Sequence, residues 1–183
     1  SRIATLFDDM ERQLHGWDRC GLLRVGASIT IGSQFLPGYV KRFRALHPGA
    51  EIQATVAPSK LLEQKLMDNL LDLALMEGVP HVPALRSEEY MEDHLVVITP
   101  ADGPFRPGQH LSQTEFRQQK FLLRERGSGT REEFERVTEQ AGFTVSPTWE
   151  ATSTTALVNA VISGLGIAVL PYRMVSAPLE RGL

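Results

Sequence analysis

The chain has 183 residues, of which 42% are hydrophobic and 22% charged, and its formal net charge is −3 at pH 7. This composition is that of a globular protein with one large domain or two small lobes. No stretch is dominated by Lys and Arg, which argues against binding of nucleic acid or an anionic membrane by this segment itself. A single cysteine, Cys20, excludes an internal disulfide, and no apolar run reaches the ~18 residues of a transmembrane helix. A cytosolic protein is therefore expected.

The first half of the chain alternates predicted helices and strands. Apolar residues at three- and four-residue steps predict a helix over 3–14, and its acidic, amphipathic character is unlike that of a signal peptide. A helix from Ser33 to His47 with Pro37 in its first turn follows. The stretch "SKLLEQKLMDNLL" predicts a further helix, opened by Ser59 and with Leu62, Leu66 and Leu70 along one side. The predicted strands are "LLRVGAS", "AEIQATVA" and "DLALME". Because strands and helices alternate, a parallel sheet is expected.

A second α/β lobe is predicted from His94 onward, after a proline-rich and charged crossover. Its predicted strands are "HLVVITP", "KFLLRE", "PTWEATS" and "LGIAVLP". Its predicted helices are "SQTEFRQQ", "TREEFERVTEQAG", "TTALVNAVISG" and "YRMVSAPLERG". The first of these helices opens with a capping box from Ser112 to Glu115. The second is expected to direct Phe134, Val137 and Ala141 inward.

Four strand-to-helix junctions are rich in small hydroxyl side chains. They are "GASITIGS", "TVAPSK", "RERGSGTRE" and "EATSTTA". In parallel sheets, ligands bind outside the carboxyl ends of the strands, where helix N-termini attract anions. A hydroxyl donates to an oxyanion as readily as it accepts from a backbone N–H. The four junctions together favour a cleft that binds a small polar or anionic ligand.

Each junction residue also has a structural interpretation. Thr130 with Glu133 has the T-x-x-E pattern of a capping box, and Ser33 and Ser59 are plausible N-caps. Ser28 is able to satisfy its own backbone, and Gly127 and Gly129 supply turn geometry. Capping explains Thr30 less well, because this residue lies between the strand and the expected cap. Arg124 is either a surface charge or a fork for a carboxylate or sulfate group.

Catalytic and metal-binding patterns are weak. The histidines are scattered and have no metal-ligand spacing, and no G-x-S-x-G motif is present. "GLGIAV" has only half of a dinucleotide-binding motif and follows a helix, so it indicates a tight helix-to-strand turn. Cys20 lacks a neighbouring Lys, His or second Cys, so an inert thiol is favoured over a redox sensor.

Several stretches resemble one family of proteins. "LLRVGASITIGSQFLPGYVKRFRALHPGAEI", "LLDLALMEG", "LLRERGSGTREEFE" and "ALVNAVISGLGIAVLP" are similar to the effector-binding domain of LysR-type transcriptional regulators. The "GSGTR" form resembles the branch with regulators of sulfur and carbon-fixation genes. The resemblance covers residues 22–183. It implies two Rossmann-like lobes of the type 2 periplasmic-binding-protein fold, with the end of a linker helix at 1–16, lobe I at 20–92 and lobe II at 93–183.

The resemblance also implies where an effector binds. The positions, chosen from the family and from the junctions together, are Ser28, Thr30, Ser59, Arg124, Ser128, Thr130 and Thr152. Thr152 and Glu77 are weaker candidates. An inward carboxylate at Glu77 would repel an anion and favour a neutral or cationic group. No catalytic residue, metal or cofactor is implied. Effector binding would close the lobes and shift an oligomer on promoter DNA.

Partners follow from the same resemblance. They are a homodimer or homotetramer, paired through helices such as Ser33–His47 and Thr154–Ser163, and promoter DNA bound by a winged helix-turn-helix upstream of Ser1. Because this sequence stops at Leu183, lobe I is expected to miss a return strand and helix, which would expose a sheet edge. Two alternatives are a free-standing solute-binding protein, which would need a secretion signal, and a cleft enzyme, which would need a convergent acid or base.

Overall fold

A computed structural model describes residues 21–106 and 108–180, and the chain divides between Glu92 and Asp93 into two compact units. We call them the N-terminal unit and the C-terminal unit. The helix predicted over 3–14 and Cys20 lie outside the described residues. In the part of the chain that is described, no helix is both long and apolar enough to cross a membrane.

The N-terminal unit contains a three-stranded parallel sheet, as the alternating pattern predicted. Its strands are β1 (Leu22–Ala27), β2 (Glu51–Val56) and β3 (Leu73–Leu75), in the order β2-β1-β3. Central β1 buries Leu23, Val25 and Ala27. A Cβ on Gly26 would lie 2.6 Å from Leu71 Cδ1, so the absence of a side chain there allows close packing against the middle strand.

The helices of the N-terminal unit correct the prediction of one continuous helix from Ser33 to His47. There are two, α1 (Ile29–Gln34) and α2 (Leu36–Leu46), and they are separated at Phe35. Pro37 lies in the first turn of α2, where its missing N–H is tolerated but cannot extend the hydrogen bonds of α1.

The second predicted helix of this unit is α3 (Ser59–Met67), which is shorter than expected. Leu62 is fully buried, but Leu70 lies beyond the helix and is 54% exposed. Asn69, with φ of 55°, turns the chain out of the helix before Leu70 is reached. The predicted stripe of Leu62, Leu66 and Leu70 is therefore wrong at its last position.

The C-terminal unit contains a four-stranded mixed sheet. Its strands are β4 (Leu95–Ile98), β5 (Phe121–Arg124), β6 (Pro147–Ala151) and β7 (Ile167–Pro171), in the order β4-β7-β5-β6. β4 runs antiparallel to β7, and the other neighbours are parallel. The predicted strands of this lobe are confirmed.

Helices cover both faces of this sheet. They are α4 (Gln113–Arg117), α5 (Gly129–Gln140), α6 (Thr154–Ile162) and α7 (Tyr172–Glu180). Phe121 and Leu123 of β5 share a core with Phe134 of α5. Leu122 between them shares a core with Leu157 of α6. This alternation is the two-residue period of a strand that is buried on both faces.

The predicted capping box of α4 is present. Ser112 Oγ accepts from Glu115 N at 3.3 Å, and Ser112 N donates to Glu115 Oε2 at 2.8 Å. The inward face of α5 differs from the prediction, since Val137 is 48% exposed and Ala141 is also exposed. The buried face carries Thr130, Arg131, Phe134 and Thr138.

Candidate ligand-binding site

The parallel strands of the N-terminal unit end together at one edge of the sheet. Ser28 N donates to Leu75 O at 2.9 Å, and Ala57 N donates to Ala27 O at 3.1 Å. The residues that follow β1 and β2 are thus held beside the end of a neighbouring strand by backbone hydrogen bonds. We call Ser28, Thr30 and Ser59 the first strand-end cluster.

Ser28 caps a helix. It is the N-cap of α1, and its Oγ accepts from Ile31 N at 3.4 Å. Its side chain is only 3% exposed, so the hydroxyl hydrogen is left for a second partner inside the protein. The structural interpretation of Ser28 is therefore confirmed, and one donor remains.

Thr30 and Ser59 do not cap a helix. Each residue is 4% exposed, and neither hydroxyl oxygen hydrogen-bonds any residue in the described ranges. Thr30 lies inside α1, and Pro58 is the N-cap of α3, so the predicted capping role of Ser59 is wrong. Ser33 is not an N-cap either, because its exposed hydroxyl donates to Ile29 O at 2.6 Å within α1.

A carboxylate and a tyrosine lie in the same unit. Glu77 follows β3, and its Oε1 is buried without a hydrogen bond from any described residue. Burial raises the pKa of Tyr90 far above its usual range, and the charges of Tyr39 and Glu77 raise it further. Tyr90 consequently keeps its proton at all physiological pH values and remains a donor. Its position in the irregular crossover gave no periodic signal, so the sequence did not single it out.

In the C-terminal unit the end of β5 carries a buried ion pair. Arg124 is 2% exposed, its Nε donates to Glu125 Oε2 at 2.8 Å, and its second terminal nitrogen, NH2, donates to Glu125 Oε1 at 3.0 Å. Its other terminal nitrogen, NH1, lies 3.5 Å from Thr154 Oγ1. Arg124 thus forms the two-pronged hydrogen bond predicted for it, but its partner is the carboxylate of Glu125 and not a ligand.

A second buried guanidinium, that of Arg131, holds α5 against the end of β5. One terminal nitrogen donates to Arg124 O at 3.1 Å, and Nε donates to Glu135 Oε1 at 2.6 Å. Glu150 Oε2 lies 3.7 Å from the terminal nitrogen NH1 of Arg131. Sequence reasoning missed Arg131, although its spacing from Phe134 and Thr138 puts it on the buried face of the helix.

The glycine-bracketed hydroxyls lie at the start of α5. Ser128 is the N-cap, but its buried side chain makes no capping hydrogen bond within the described structure. Thr130 is 3% exposed, and its hydroxyl also has no hydrogen-bond partner among the residues described. The predicted capping box of Thr130 and Glu133 is therefore wrong. Glu133 instead pairs with Arg136, whose hydrogen bonds lower the pKa of Glu133.

The fourth junction places a different threonine in the interior. Thr152 is exposed, whereas Thr154 is 6% exposed and contacts Arg124. Ser153 between them is the N-cap of α6 and accepts from Ala156 N at 3.2 Å. We call Arg124, Glu125, Ser128, Thr130 and Thr154 the second strand-end cluster.

Three hydroxyl groups of the two clusters lack a hydrogen bond from any described residue. They are the buried hydroxyls of Thr30, Ser59 and Thr130. We call them the open hydroxyls. A buried hydroxyl without a partner costs about 1–3 kcal/mol, so folded proteins keep such groups where a ligand or water completes them.

Metal binding has no support in the described structure. Among residues 21–106 and 108–180, no group of three or more His, Cys, Asp or Glu side chains could hold a metal ion. One histidine–carboxylate pair, His81 and buried Glu63, is present in the N-terminal unit. The ring Nδ1 and the backbone N of His81 lie 3.1 and 3.2 Å from Glu63 Oε1. This pair attaches the segment after β3 to α3.

Comparison with known proteins identifies the family. The model of the LysR substrate binding domain matches residues 18–183, so the chain belongs to that family. The RuBisCO operon transcriptional regulator of Allochromatium vinosum is 32% identical over 173 residues, which are 94% of this chain and 57% of that protein. The regulator CbbR of Rhizobium meliloti is 31% identical over 165 residues, 90% of this chain and 52% of its own length. The chain thus spans little more than half the length of these relatives.

A solved structure is similar in fold. The regulatory domain of CcmR from Synechocystis PCC6803, in complex with 2-PG, has a TM-score of 0.76 and 26% identity, covering 85% of this chain and 74% of that one. The fold is accordingly the mixed α/β fold of LysR regulatory domains, which is of the type 2 periplasmic-binding-protein class. The resemblance read from the sequence is confirmed. These relatives favour the regulator over a free-standing solute-binding protein.

Proposed function

We propose that this chain is the effector-sensing region of a LysR-type transcriptional regulator and that it binds a small polar or anionic molecule. The observation that carries the proposal is the set of open hydroxyls at Thr30, Ser59 and Thr130. All three lie in the first turn of the helix that follows a parallel strand, on the side of the sheet where α/β proteins bind ligands. A ligand oxygen at these positions would supply the missing hydrogen bonds.

The ligand is best described as an anion that also carries a hydrogen-bond donor. Hydroxyl side chains and the N-terminal turn of the twelve-residue helix α5 suit oxyanions. Buried Glu77 Oε1 and protonated Tyr90 in the N-terminal unit suit a ligand hydroxyl better than a second anionic group. CcmR, at 26% identity, was solved with 2-PG, which supports a small organic anion as the ligand class.

The proposed contacts are residues that the junctions indicated, and the family resemblance indicates all of them except Arg124. They are Ser28, Thr30 and Ser59 in the N-terminal unit and Arg124, Ser128 and Thr130 in the C-terminal unit. Thr152, being exposed, is the weakest of the set, and Thr154 is the better candidate at that junction.

The remaining proposed roles belong to a longer protein with the domain organisation of the relatives. We propose that it binds promoter DNA through an upstream helix-turn-helix, assembles as a homodimer or homotetramer, and acts in the cytoplasm as transcriptional regulators do. Binding rather than catalysis is proposed because the relatives are regulators. Ligand-driven regulation requires only that the ligand favours one of two states of the assembly.

A thermal-shift screen of this chain tests the proposal. The panel contains sulfate, phosphate, 2-PG, small carboxylates and a neutral sugar. A compound at a hundred times its dissociation constant adds about 2.7 kcal/mol to the unfolding free energy. We expect one anionic compound to raise the melting temperature of the wild type, and Thr30→Val and Thr130→Val each to abolish that rise.

Ser33→Ala is the matched control, because its hydroxyl is exposed and already bonded within α1. It should respond to the compound as the wild type does. Loss of the response in only one threonine variant would exclude the hydroxyl of the other threonine as a ligand contact. If no compound of the panel raises the melting temperature of the wild type, a small anion is contradicted as the ligand class. If both threonine variants respond to the compound as strongly as the wild type, the hydroxyls of Thr30 and Thr130 are excluded as contacts.

A further inference from the structure

The guanidinium of Arg124 is already bound to a carboxylate of the chain, so any incoming anion has to compete for it. The side chain is 2% exposed, and two of its nitrogens donate to the two oxygens of Glu125 at 2.8 and 3.0 Å. Two parallel hydrogen bonds between a guanidinium and a carboxylate form the same fork that binds an external carboxylate, sulfate or phosphate. Glu125 therefore has the position that an anionic ligand of Arg124 would take.

The two members of the pair differ in how easily they can leave. Arg124 is enclosed, and its NH1 also approaches Thr154 Oγ1 at 3.5 Å. The Glu125 side chain is 11% exposed, so it already borders solvent. An ionised carboxylate is well solvated in water, whereas a buried guanidinium without a partner is costly. When a competing anion arrives, Glu125 is the group that can move out.

The segment that follows Arg124 and Glu125 along the chain also suits an anion. Arg131 donates to Arg124 O at 3.1 Å and so holds the first turn of α5 beside the end of β5. That turn presents backbone N–H groups and the open hydroxyl of Thr130. An anion would complete both the N–H groups and the hydroxyl of this one helix start.

We propose that Glu125 is an internal competitor for the ligand site. In the ligand-free chain its carboxylate occupies Arg124, and a ligand carboxylate, sulfate or phosphate replaces it there. This inference deepens the proposed function and rests on it for the identity of the site. Neutral molecules cannot displace Glu125, so the pair selects for anions. Displacement also changes the segment 125–128, because Glu125 O accepts from Ser128 N at 3.2 Å at the start of α5.

The test uses Glu125→Gln with inorganic sulfate as the probe. The amide keeps the shape of the side chain but removes the charge that satisfies Arg124. Sulfate affinity, measured by calorimetry, should rise roughly tenfold or more relative to the wild type, the scale of one hydrogen bond to a charged group. The melting temperature of the variant should also rise with sulfate far more than that of the wild type, at an ionic strength kept constant with sodium chloride.

Glu133→Gln is the matched control, since it removes one negative charge from α5 at a side chain that hydrogen-bonds Arg136 and not the fork. If it strengthens sulfate binding as much as Glu125→Gln does, general electrostatics explain the effect and the inference is overturned. The inference is likewise overturned if Glu125→Gln binds sulfate no better than the wild type. Glu125→Asp has a shorter carboxylate that cannot keep both hydrogen bonds to Arg124. Its sulfate affinity should lie between those of the wild type and Glu125→Gln, and it replaces Glu125→Gln in the test if the amide variant does not fold.

Failure of the proposed function has a different signature. In that case no organic anion of the panel binds the wild type through Thr30 and Thr130, yet the sulfate response of Glu125→Gln still reports on the fork. A sulfate response confined to Glu125→Gln with no response of the wild type to any panel compound would support the internal competition and reject the effector role.

Discussion

At the scale of single residues, two kinds of small hydroxyl near the starts of helices differ in their hydrogen bonds. Ser112 and Ser153 cap helices, and each accepts from the backbone N–H of the third residue of the helix. The open hydroxyls lie in comparable places along the chain but have no such partner within the described residues. Sequence patterns alone do not separate the groups, because the separation depends on whether a helix begins one residue earlier or later.

Thr130 and Thr138 provide a matched pair for this difference. Both are 3% exposed on the buried face of α5, but the Thr138 hydroxyl donates to Glu135 O at 3.0 Å. Without ligand, Thr130→Val should leave the unfolding free energy unchanged or raise it by up to about 1 kcal/mol, because it removes a buried group that lacks a partner. Thr138→Val should lower it by roughly 0.5–1.5 kcal/mol.

Urea unfolding of the two variants measures this contrast. Equal losses of stability would mean that the Thr130 hydroxyl is bonded in solution and is not available to a ligand. A gain at Thr130 combined with loss of ligand response would show that stability was given up there for binding.

At the scale of elements, the turn from α6 into β7 is fixed by close backbone packing. Gly164 has φ of 76°, and a Cβ on Gly166 would lie 2.2 Å from Lys120 O. Lys120 O also accepts from Ile167 N at 2.9 Å, so the two segments cannot separate without loss of the β5–β7 pairing. The glycines of "GLGIAV" therefore serve this turn, as the sequence predicted.

Gly166→Ala should destabilise the chain by roughly 1–3 kcal/mol, the usual cost of overpacking a site whose neighbour is backbone. Gly38→Ala in α2 is the control, because a Cβ there meets no described atom within 4 Å. Alanine at that helical position should instead stabilise by about 0.5–1 kcal/mol. Thermal or urea unfolding compares the two, and equal effects would contradict the close approach at Gly166.

The elements also show what the sequence could and could not determine. Strand positions and the parallel sheet followed from short apolar runs and their order. The break at Phe35 was missed because Pro37 is tolerated in a first turn, so the pattern of one helix and of two adjoining helices is the same. The face of α5 was misplaced because buried Thr130 and Arg131 are polar, and a polar residue on a buried face weakens the apolar period.

The sequence predicted which hydroxyl residues of the candidate site follow the ends of strands, but not the hydrogen-bond partners of its charged residue. The junctions identified Thr30, Ser59 and Thr130, since the ends of parallel strands collect ligands. They did not identify the partner of Arg124. Glu125 is adjacent in sequence, and consecutive residues of a strand point to opposite faces, so a fork between them forms only because the strand ends at Arg124.

At the scale of the whole molecule, carboxylates with lowered pKa values are present in both units. Hydrogen bonds from Arg24 lower the pKa of Asp72, and those from Ser112 and Arg136 lower the pKa of Glu115 and Glu133. In the unfolded chain these groups return to about 3.9 for Asp and 4.3 for Glu. Their stabilisation is therefore complete above those values and is lost as the pH falls through the folded pKa values.

Asp72 allows this linkage to be measured, because it joins two strands. Its Oδ2 accepts from Arg24 N of β1 at 2.7 Å, its Oδ1 accepts from the Arg24 guanidinium at 2.7 Å, and its N donates to Arg24 O at 2.8 Å, just before β3. Asp72→Asn should lower the urea midpoint at pH 7. The gap to the wild type should begin to narrow as the pH approaches the unfolded value of about 3.9, and it should close only below the lowered pKa of the folded wild-type carboxyl.

Asp102→Asn, an exposed change in the loop after β4, should follow the wild type at every pH. A gap for Asp72→Asn that stays constant from pH 7 to pH 3 would mean that the substitution acts through packing and not through charge. A closing gap would instead assign part of the acid sensitivity of the chain to the link between β1 and β3. Since β1 also leads directly into Ser28 and Thr30, weaker ligand binding at acid pH is then expected to accompany the loss of stability.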